Sequence, residues 1–220
     1  MRVLVACEES QEVCKAFRAR GHEAYSADLQ ECSGGHPEWH IQGDVLPLLD
    51  GNCSFFTGGG QWTFIDGQWD LIIAHPPCTY LTVTGNRWFD VEKYGKKAEQ
   101  RWRDRVDGAV LFMRFVSANC QRIAIENPVG IMGRAYRQAD QTIQPYQFGD
   151  PFEKLTCLWL KNLPKLKATN VVEPEPRIFF DSGKSMPRWY ADSWADKKNR
   201  AKIRSKTFPG IASAMADQWG

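Results

Sequence analysis

Two short stretches of this chain hold residue types that could do covalent chemistry together. In one, His75-Pro76-Pro77-Cys78, a cysteine follows two prolines; in the other, Ile125-Glu126-Asn127-Pro128, an acid precedes Asn-Pro. A thiolate is a soft nucleophile that can add to an electron-poor carbon and leave again. A carboxyl beside the acceptor lowers the cost of charge developing on a ring nitrogen. Taken singly, each stretch has an ordinary explanation. Free cysteine is among the most buried residue types, and Asn-Pro after an acid commonly makes a turn. Their order, each at the end of an apolar strand, points to one shared site.

The elements that must position them can be read outward from those strands. Val3 to Cys7 is an apolar, β-branched run, followed by a polar loop (Glu8 to Gln11) and a helical pattern through Val13, Ala16 and Phe17 that stops at Gly21. HEAYSADL reads as a second strand ending in Asp28, and a Gly- and His-containing loop leads to GDVLPLL. Residues 51 to 67 carry turn signals and aromatics and read as a loop or small hairpin. The apolar strand WDLIIA runs into the cysteine stretch, whose prolines end sheet pairing. Asp104 to Asn119 suits a helix, and Arg122 to Ile125 a strand that delivers Glu126. Leu155 to Leu160 is a sixth strand. Lys161 to Lys206 is Pro-punctuated, basic and loop-rich, and Pro209 opens a terminal helix with Ile211, Ala214, Met215 and Trp219 on one face. This alternation predicts one α/β domain over residues 1 to 220, a doubly wound, mostly parallel sheet that binds ligands at the carboxyl ends of its strands.

Composition bounds the class. A chain of 220 residues with 43% hydrophobic and 25% charged residues is that of an ordinary globular domain, and no apolar run approaches the ~18 residues of a membrane helix. The N-terminal apolar run reads as a strand rather than a signal peptide, so the expected location is cytoplasmic. The seven cysteines form no C-x-x-C pair, which argues against a disulfide framework or a metal site. Cys14, Cys32, Cys53, Cys120 and Cys157 read as core or incidental. The net charge of +2 neither requires nor excludes nucleic acid, since binding depends on where charge lies.

On HPPC and IENP, in this order after consecutive strands, the chain resembles the DNA cytosine carbon-5 methyltransferases. Methylating that carbon needs a nucleophile to add at carbon 6, an acid near ring nitrogen 3 and a methyl donor on the opposite face. The resemblance implies a class I methyltransferase (Rossmann-like) architecture, S-adenosylmethionine as cofactor and DNA as partner. It makes Cys78 the nucleophile and Glu126 the group that bonds the base. Asn127 and Pro128 would fix that turn, and Pro77 would set the loop's entry. Lys154 falls where the family has an arginine-bearing strand that helps hold the base. Donor contacts would come from Cys7, Glu8, Glu9 and Ser10 after the first strand, from Asp28 at the ribose, from Asp44 near the adenine, and from Pro76. SKTFPGIASAMADQW resembles the family's last motif. The chain departs from the family in having no glycine between Met1 and Arg20, and only residues 163 to 206 where a target recognition domain would stand. That leaves open a single-stranded DNA, RNA or free nucleotide substrate, or a non-catalytic nucleic-acid binder that has lost its cofactor. Amine methylation is set aside, because Cys78 replaces the aromatic residue that such chemistry uses for stacking.

Two segments interleave basic and aromatic residues, a pattern suited to phosphate contact and base stacking. Arg87 to Arg105, including Arg87, Lys96 and Lys97, reads either as a mobile loop closing on a flipped base or as a solvated helix face. Residues 184 to 206 place Lys197, Lys198, Arg200 and Arg204 near Trp189, Tyr190 and Trp194, in the recognition slot. His75 reads as a structural hydrogen-bonding residue outside the catalytic set.

Overall fold

A computed structural model describes residues 1–220. Its central sheet has seven strands: β1 (Arg2–Ala6), β2 (Glu23–Asp28), β3 (His40–Gln42), β4 (Leu71–Ala74), β5 (Ile123–Pro128), β6 (Gln141–Ile143) and β7 (Thr156–Lys161). They lie in the order β3-β2-β1-β4-β5-β7-β6. Pairing is parallel throughout β3 to β5, while β7 runs antiparallel to both β5 and β6. This is the expected α/β, doubly wound and mostly parallel sheet.

Alternation along the strands sends neighbouring residues to opposite faces. Val3 and Val5 of β1 and Leu71 and Ile73 of β4 join a core with Phe17 of α1 (Glu12–Arg18) and Met215 and Trp219 of α3 (Pro209–Trp219). Leu4 and Ile72 face the other way, toward Phe112 and Phe115 of α2 (Lys96–Val116) and Trp159 of β7. Each fully buried Leu, Ile or Phe contributes about 1.5–3 kcal/mol, so the middle of the sheet carries much of the fold's stability. The outermost packing on the α2 side is a hairpin, Cys53–Phe56 with Trp62–Ile65, in the segment read as a loop or hairpin. No helix is long and apolar enough to cross a membrane.

Three expectations about elements change. The helix read from Asp104 begins at Lys96, directly after Gly95, whose φ of 52° ends the preceding turn Val91–Tyr94. Its polar first turns carry no apolar period, which hid them. The basic stretch from Arg87 is therefore helical at all but Asp90 and Gly95, as the helix-face reading has it, rather than one loop. The strand read as sixth is seventh in chain order and antiparallel, because β6 has only three residues and leaves no periodic signal. The segment between β7 and α3 holds a hairpin (Arg177–Phe179 with Ser185–Pro187) and two short helices, Arg188–Asp192 and Arg200–Ser205.

β1 is paired to β2 on one side and β4 on the other, so the chain reverses direction of progress across the sheet between them. At such a switch point the loops leaving the strands splay apart and leave a crevice at their carboxyl ends. The loops at Cys7 and His75 both leave there.

Candidate active site

The two candidate catalytic stretches leave adjacent strands and are tied to each other. Asn127 is buried and donates its side-chain amide to the carbonyl of Pro76 at 2.7 Å. Further out, the loop after Cys78 pairs with the loop after Pro128: Ile131 N–H donates to Leu81 O at 2.9 Å and Val83 N–H to Val129 O at 3.2 Å. Gly130 makes this approach possible, since a Cβ there would stand 2.2 Å from Leu81 O. From the other side α2 clasps the same loop. Arg101 donates to Thr79 O at 3.1 Å and Arg105 to Tyr80 O at 2.8 Å, with the buried Arg105 guanidinium 3.4 Å from the Phe89 ring centroid. Arg101, Arg105 and Gly130 thus position the loop of Cys78, and sequence reading missed them. The two arginines were hidden among exposed basic neighbours, and Gly130 carried no signal in the sequence.

Cys78 is half-buried, and its carbonyl accepts from Leu81 and Thr82 N–H, both at 3.0 Å, in a tight turn. Burial pushes its thiol up, the charge of Glu126 pushes it further, and Lys154 pulls it back. Burial also raises the Glu126 carboxyl, but the His75 hydrogen bond and the charges of Lys154 and His75 outweigh it and hold the group below its ordinary value. His75 Nδ1 lies 3.2 Å from Glu126 Oε2. At rest the thiol thus favours its proton and the carboxyl its ionised form. Neutralising Glu126, as a bonded ring nitrogen would, makes the thiolate easier to form. Lys154 precedes β7 rather than lying on it, and its Nζ donates to Lys206 O at 3.2 Å, linking the site to the last motif. Pro77 is exposed at the loop's entry, and Pro128 ends β5.

The donor-side residues gather at the switch point. Cys7 and Gln11 both have a φ of 58°. The turn thus takes left-handed backbone where a glycine would be easiest, at a cost of roughly 1–2 kcal/mol per residue. Burial, then the charges of Asp28 and Asp44, push the Cys7 thiol up to about 12. Asp28 and Asp44 each use one oxygen locally, accepting from Gln30 N–H at 2.9 Å and Leu46 N–H at 3.0 Å. Pro76 is buried, and Ser10 lies under Gly34, whose Cβ would stand 2.6 Å from Ser10 O.

Two of the donor-side carboxylates are not free for a ligand. Glu8 turns inward and caps α1, accepting from Val13 N–H at 2.6 Å and Cys14 N–H at 3.1 Å, so its side chain leaves the cofactor set. Glu9 is buried; its Oε2 accepts no hydrogen bond, and its counter-charge is Lys202 Nζ, at 3.3 Å but out of alignment. Turning the Glu8 charge away suits a donor that carries its own carboxylate. With Asp28 and Asp44 available to sugar and base, the residues present fit S-adenosylmethionine.

Among the basic candidates, Arg87, Lys96, Lys97, Lys197, Lys198 and Arg200 are exposed. Arg87 stacks on Trp88, and Lys96 and Lys97 form the first turn of α2. Arg204 is a correction. Its guanidinium donates to Ser193 Oγ at 2.7 Å and Tyr190 O at 3.1 Å and lies 3.7 Å from the Tyr190 ring centroid, so it builds the insertion instead of facing phosphate. Lys206 pairs with Glu12 at 3.0 Å, which with the Lys202–Glu9 pair holds the short basic helix over the start of α1.

No protein-family model matches the sequence, and no curated protein matches it. A solved structure from E. coli, described as a presumptive DNA modification methyltransferase encoded within a prophage, is similar over 86% of this chain at 15% identity and a TM-score of 0.43. The chain spans 56% of that structure's length.

Proposed function

We propose that the protein transfers a methyl group from S-adenosylmethionine to carbon 5 of cytosine in DNA through a covalent adduct on Cys78. One observation carries the reading: Asn127 ties the Glu126 turn to the Cys78 turn at 2.7 Å, and Cys78, Glu126 and Lys154 feel one another's charge at the carboxyl end of β4 and β5. A thiol and an acid held together at that end of this sheet are what addition to a pyrimidine ring requires.

In this account Cys78 gives its thiol proton to solvent, Sγ forms a bond to carbon 6 and the ring's electron pair shifts toward nitrogen 3, where Glu126 bears on it. Lys154 and Asn127 keep that carboxyl in place. When bound, S-adenosylmethionine supplies an electrophilic methyl group to carbon 5. Solvent water then takes the carbon 5 proton, and its electron pair restores the double bond as the thiolate leaves. On duplex DNA the base must be flipped out, at a cost of a few kcal/mol that single strands avoid. The exposed Lys197, Lys198 and Arg200 supply phosphate contacts. The compact insertion, one hairpin and two short helices, favours a single-stranded or loosely specified target as the second reading.

Incubating the protein with cofactor carrying a deuterated methyl group and mixed single- and double-stranded DNA, then digesting to nucleosides, tests the reading. Labelled 5-methylcytosine formed by the wild type and absent with Cys78→Ala supports it. Label on an exocyclic amine, or undiminished product from Cys78→Ala, overturns it.

A further inference from the structure

We propose that the segment between β7 and α3 is a stacking platform for unpaired nucleotides beside the target cytosine. Phe179, Phe180 and Trp194 take base faces there, and the basic residues around them take phosphates. The inference deepens the reaction proposed above and rests on its nucleic-acid substrate, but its evidence lies outside the Cys78 site. Between Arg177 and Lys206 the chain carries nine basic and three acidic residues, a surplus of six against a net charge of +2 for all 220 residues. The rest of the protein is therefore net acidic, and the field that draws a polyanion is concentrated on this segment.

The aromatic residues of the segment are of two kinds. Trp189 and Tyr190 build it: Trp189 packs on Phe152 and Phe208 and donates its indole N–H to Glu153 O at 3.0 Å, and Arg204 covers the Tyr190 ring. Phe179, Phe180 and Trp194 instead face solvent, at 76%, 37% and 44% exposure. The Phe180 and Trp194 rings lie only 25° from parallel with centroids 6.5 Å apart, and Phe179 ends the strand directly before Phe180. Rings left in water contribute little to folding. Exposed charge accompanies these: Lys184 O accepts from Phe180 N–H at 2.9 Å, and Lys197 and Lys198 follow Trp194 closely in the chain. Phe56, Trp62 and Phe64 are exposed too, but no basic residue lies between Asp50 and Gln68 to hold a strand on them. Aromatic side chains stack on bases that are unpaired, and because every base has a π-face the contact tolerates any sequence. Reading a duplex takes a helix or ribbon that follows the major groove, whereas the helices here have five and six residues and the hairpin strands three. The platform also adjoins the site. Trp189 and Arg177 hold Glu153, and Lys154, next in the chain, bears on Cys78 and Glu126 and donates to Lys206 O at 3.2 Å. A strand lying on the platform thus runs beside the Cys78 crevice.

Fluorescence anisotropy with a labelled oligodeoxynucleotide, its matching duplex and an oligoribonucleotide of the same sequence tests the platform without any turnover. A single strand is expected to bind about tenfold or more tightly than the duplex. Phe179→Leu and Trp194→Leu stay apolar but lose the flat ring, and thermal melting checks their fold. Each should weaken single-strand binding about five- to a hundredfold, the range for one lost base stack, and leave the salt slope unchanged. Phe179→Tyr keeps the ring and should bind as the wild type does. Lys184→Glu combined with Arg188→Glu should instead flatten the salt dependence. Affinity lost by the leucine variants on either single-stranded polymer supports the platform, and the tighter polymer names its ligand. Leucine variants that bind single strands as the wild type does overturn it, and so does a wild type that prefers the duplex. If the platform binds as expected and no 5-methylcytosine forms, the reaction fails and the platform stands. If 5-methylcytosine forms while the leucine variants bind unchanged, the platform fails and the reaction stands.

Discussion

Glu8 imposes a pH slope on folding. Its carboxyl is buried beneath the loop after β1, and burial pushes it up to about 7 from an ordinary 4.5, against the opposing pull of His75 and of the Val13 and Cys14 N–H groups. With the folded value above the unfolded one, the native chain holds this proton more tightly, so ionisation opposes folding. Below the unfolded value Glu8 has no effect; above the folded value the cost is complete, about 3 kcal/mol for a separation of this size. Glu8→Gln cannot ionise, and it loses one of the two N–H bonds of the helix cap, at about 1 kcal/mol independent of pH. The unfolding free energy of the variant minus that of wild type should run from about zero near pH 5 to about +2 kcal/mol near pH 8. Urea unfolding of both proteins across that range measures it, and slopes from all other groups cancel in the difference. A difference flat to within about 0.5 kcal/mol would refute the assignment of Glu8 as a buried cap with a raised pKa.

Other perturbations separate positioning from chemistry. Gly130→Ala forces a Cβ to within 2.2 Å of Leu81 O, so the loops of Cys78 and Glu126 must part. It should cost about 1–3 kcal/mol, lower the melting temperature by several degrees and reduce adduct yield by more than the fraction unfolded explains. Glu126→Gln removes a charge that raises the Cys78 thiol, so alkylation of the Cys78 peptide by iodoacetamide should be faster at neutral pH than in wild type. An equal or slower rate would separate the two groups electrostatically. Reversing charge at Lys197, Lys198 and Arg200 should weaken DNA binding and flatten its dependence on salt. Arg204→Ala should lower thermal stability and leave the salt slope as it was, as fluorescence anisotropy titrations would show.

The sequence made the sheet legible because β1, β4 and β5 are apolar runs buried on both faces, flanked by loops with clear stop signals. It left out β3, which falls in the stretch read as a loop before GDVLPLL, and β6, each of three residues and too short to show a period, and the first turns of α2, whose basic surface has none. Cys78 and Glu126 were legible as residue types, but the contacts that join them were not. The Asn127 amide to Pro76, the Gly130 approach to Leu81 and the clasp of Arg101 and Arg105 are made between segments far apart in the chain. The sense of the acids after β1 was likewise hidden. Glu8 and Glu9 are adjacent and alike in type, yet one caps α1 and the other faces Lys202, a difference set by which way the left-handed turn at Cys7 sends each side chain.

The central claim is a covalent bond from Cys78 to carbon 6 of cytosine. DNA containing 5-fluorocytosine traps such a bond, because fluorine cannot leave carbon 5 as a proton does. Intact-protein mass after incubation with this DNA and S-adenosylmethionine should increase by the mass of the oligonucleotide plus one methyl group, with the adduct mapped to Cys78 and absent from Cys78→Ala. An unshifted mass on single- and double-stranded substrates alike, from protein shown to bind the cofactor, would contradict it.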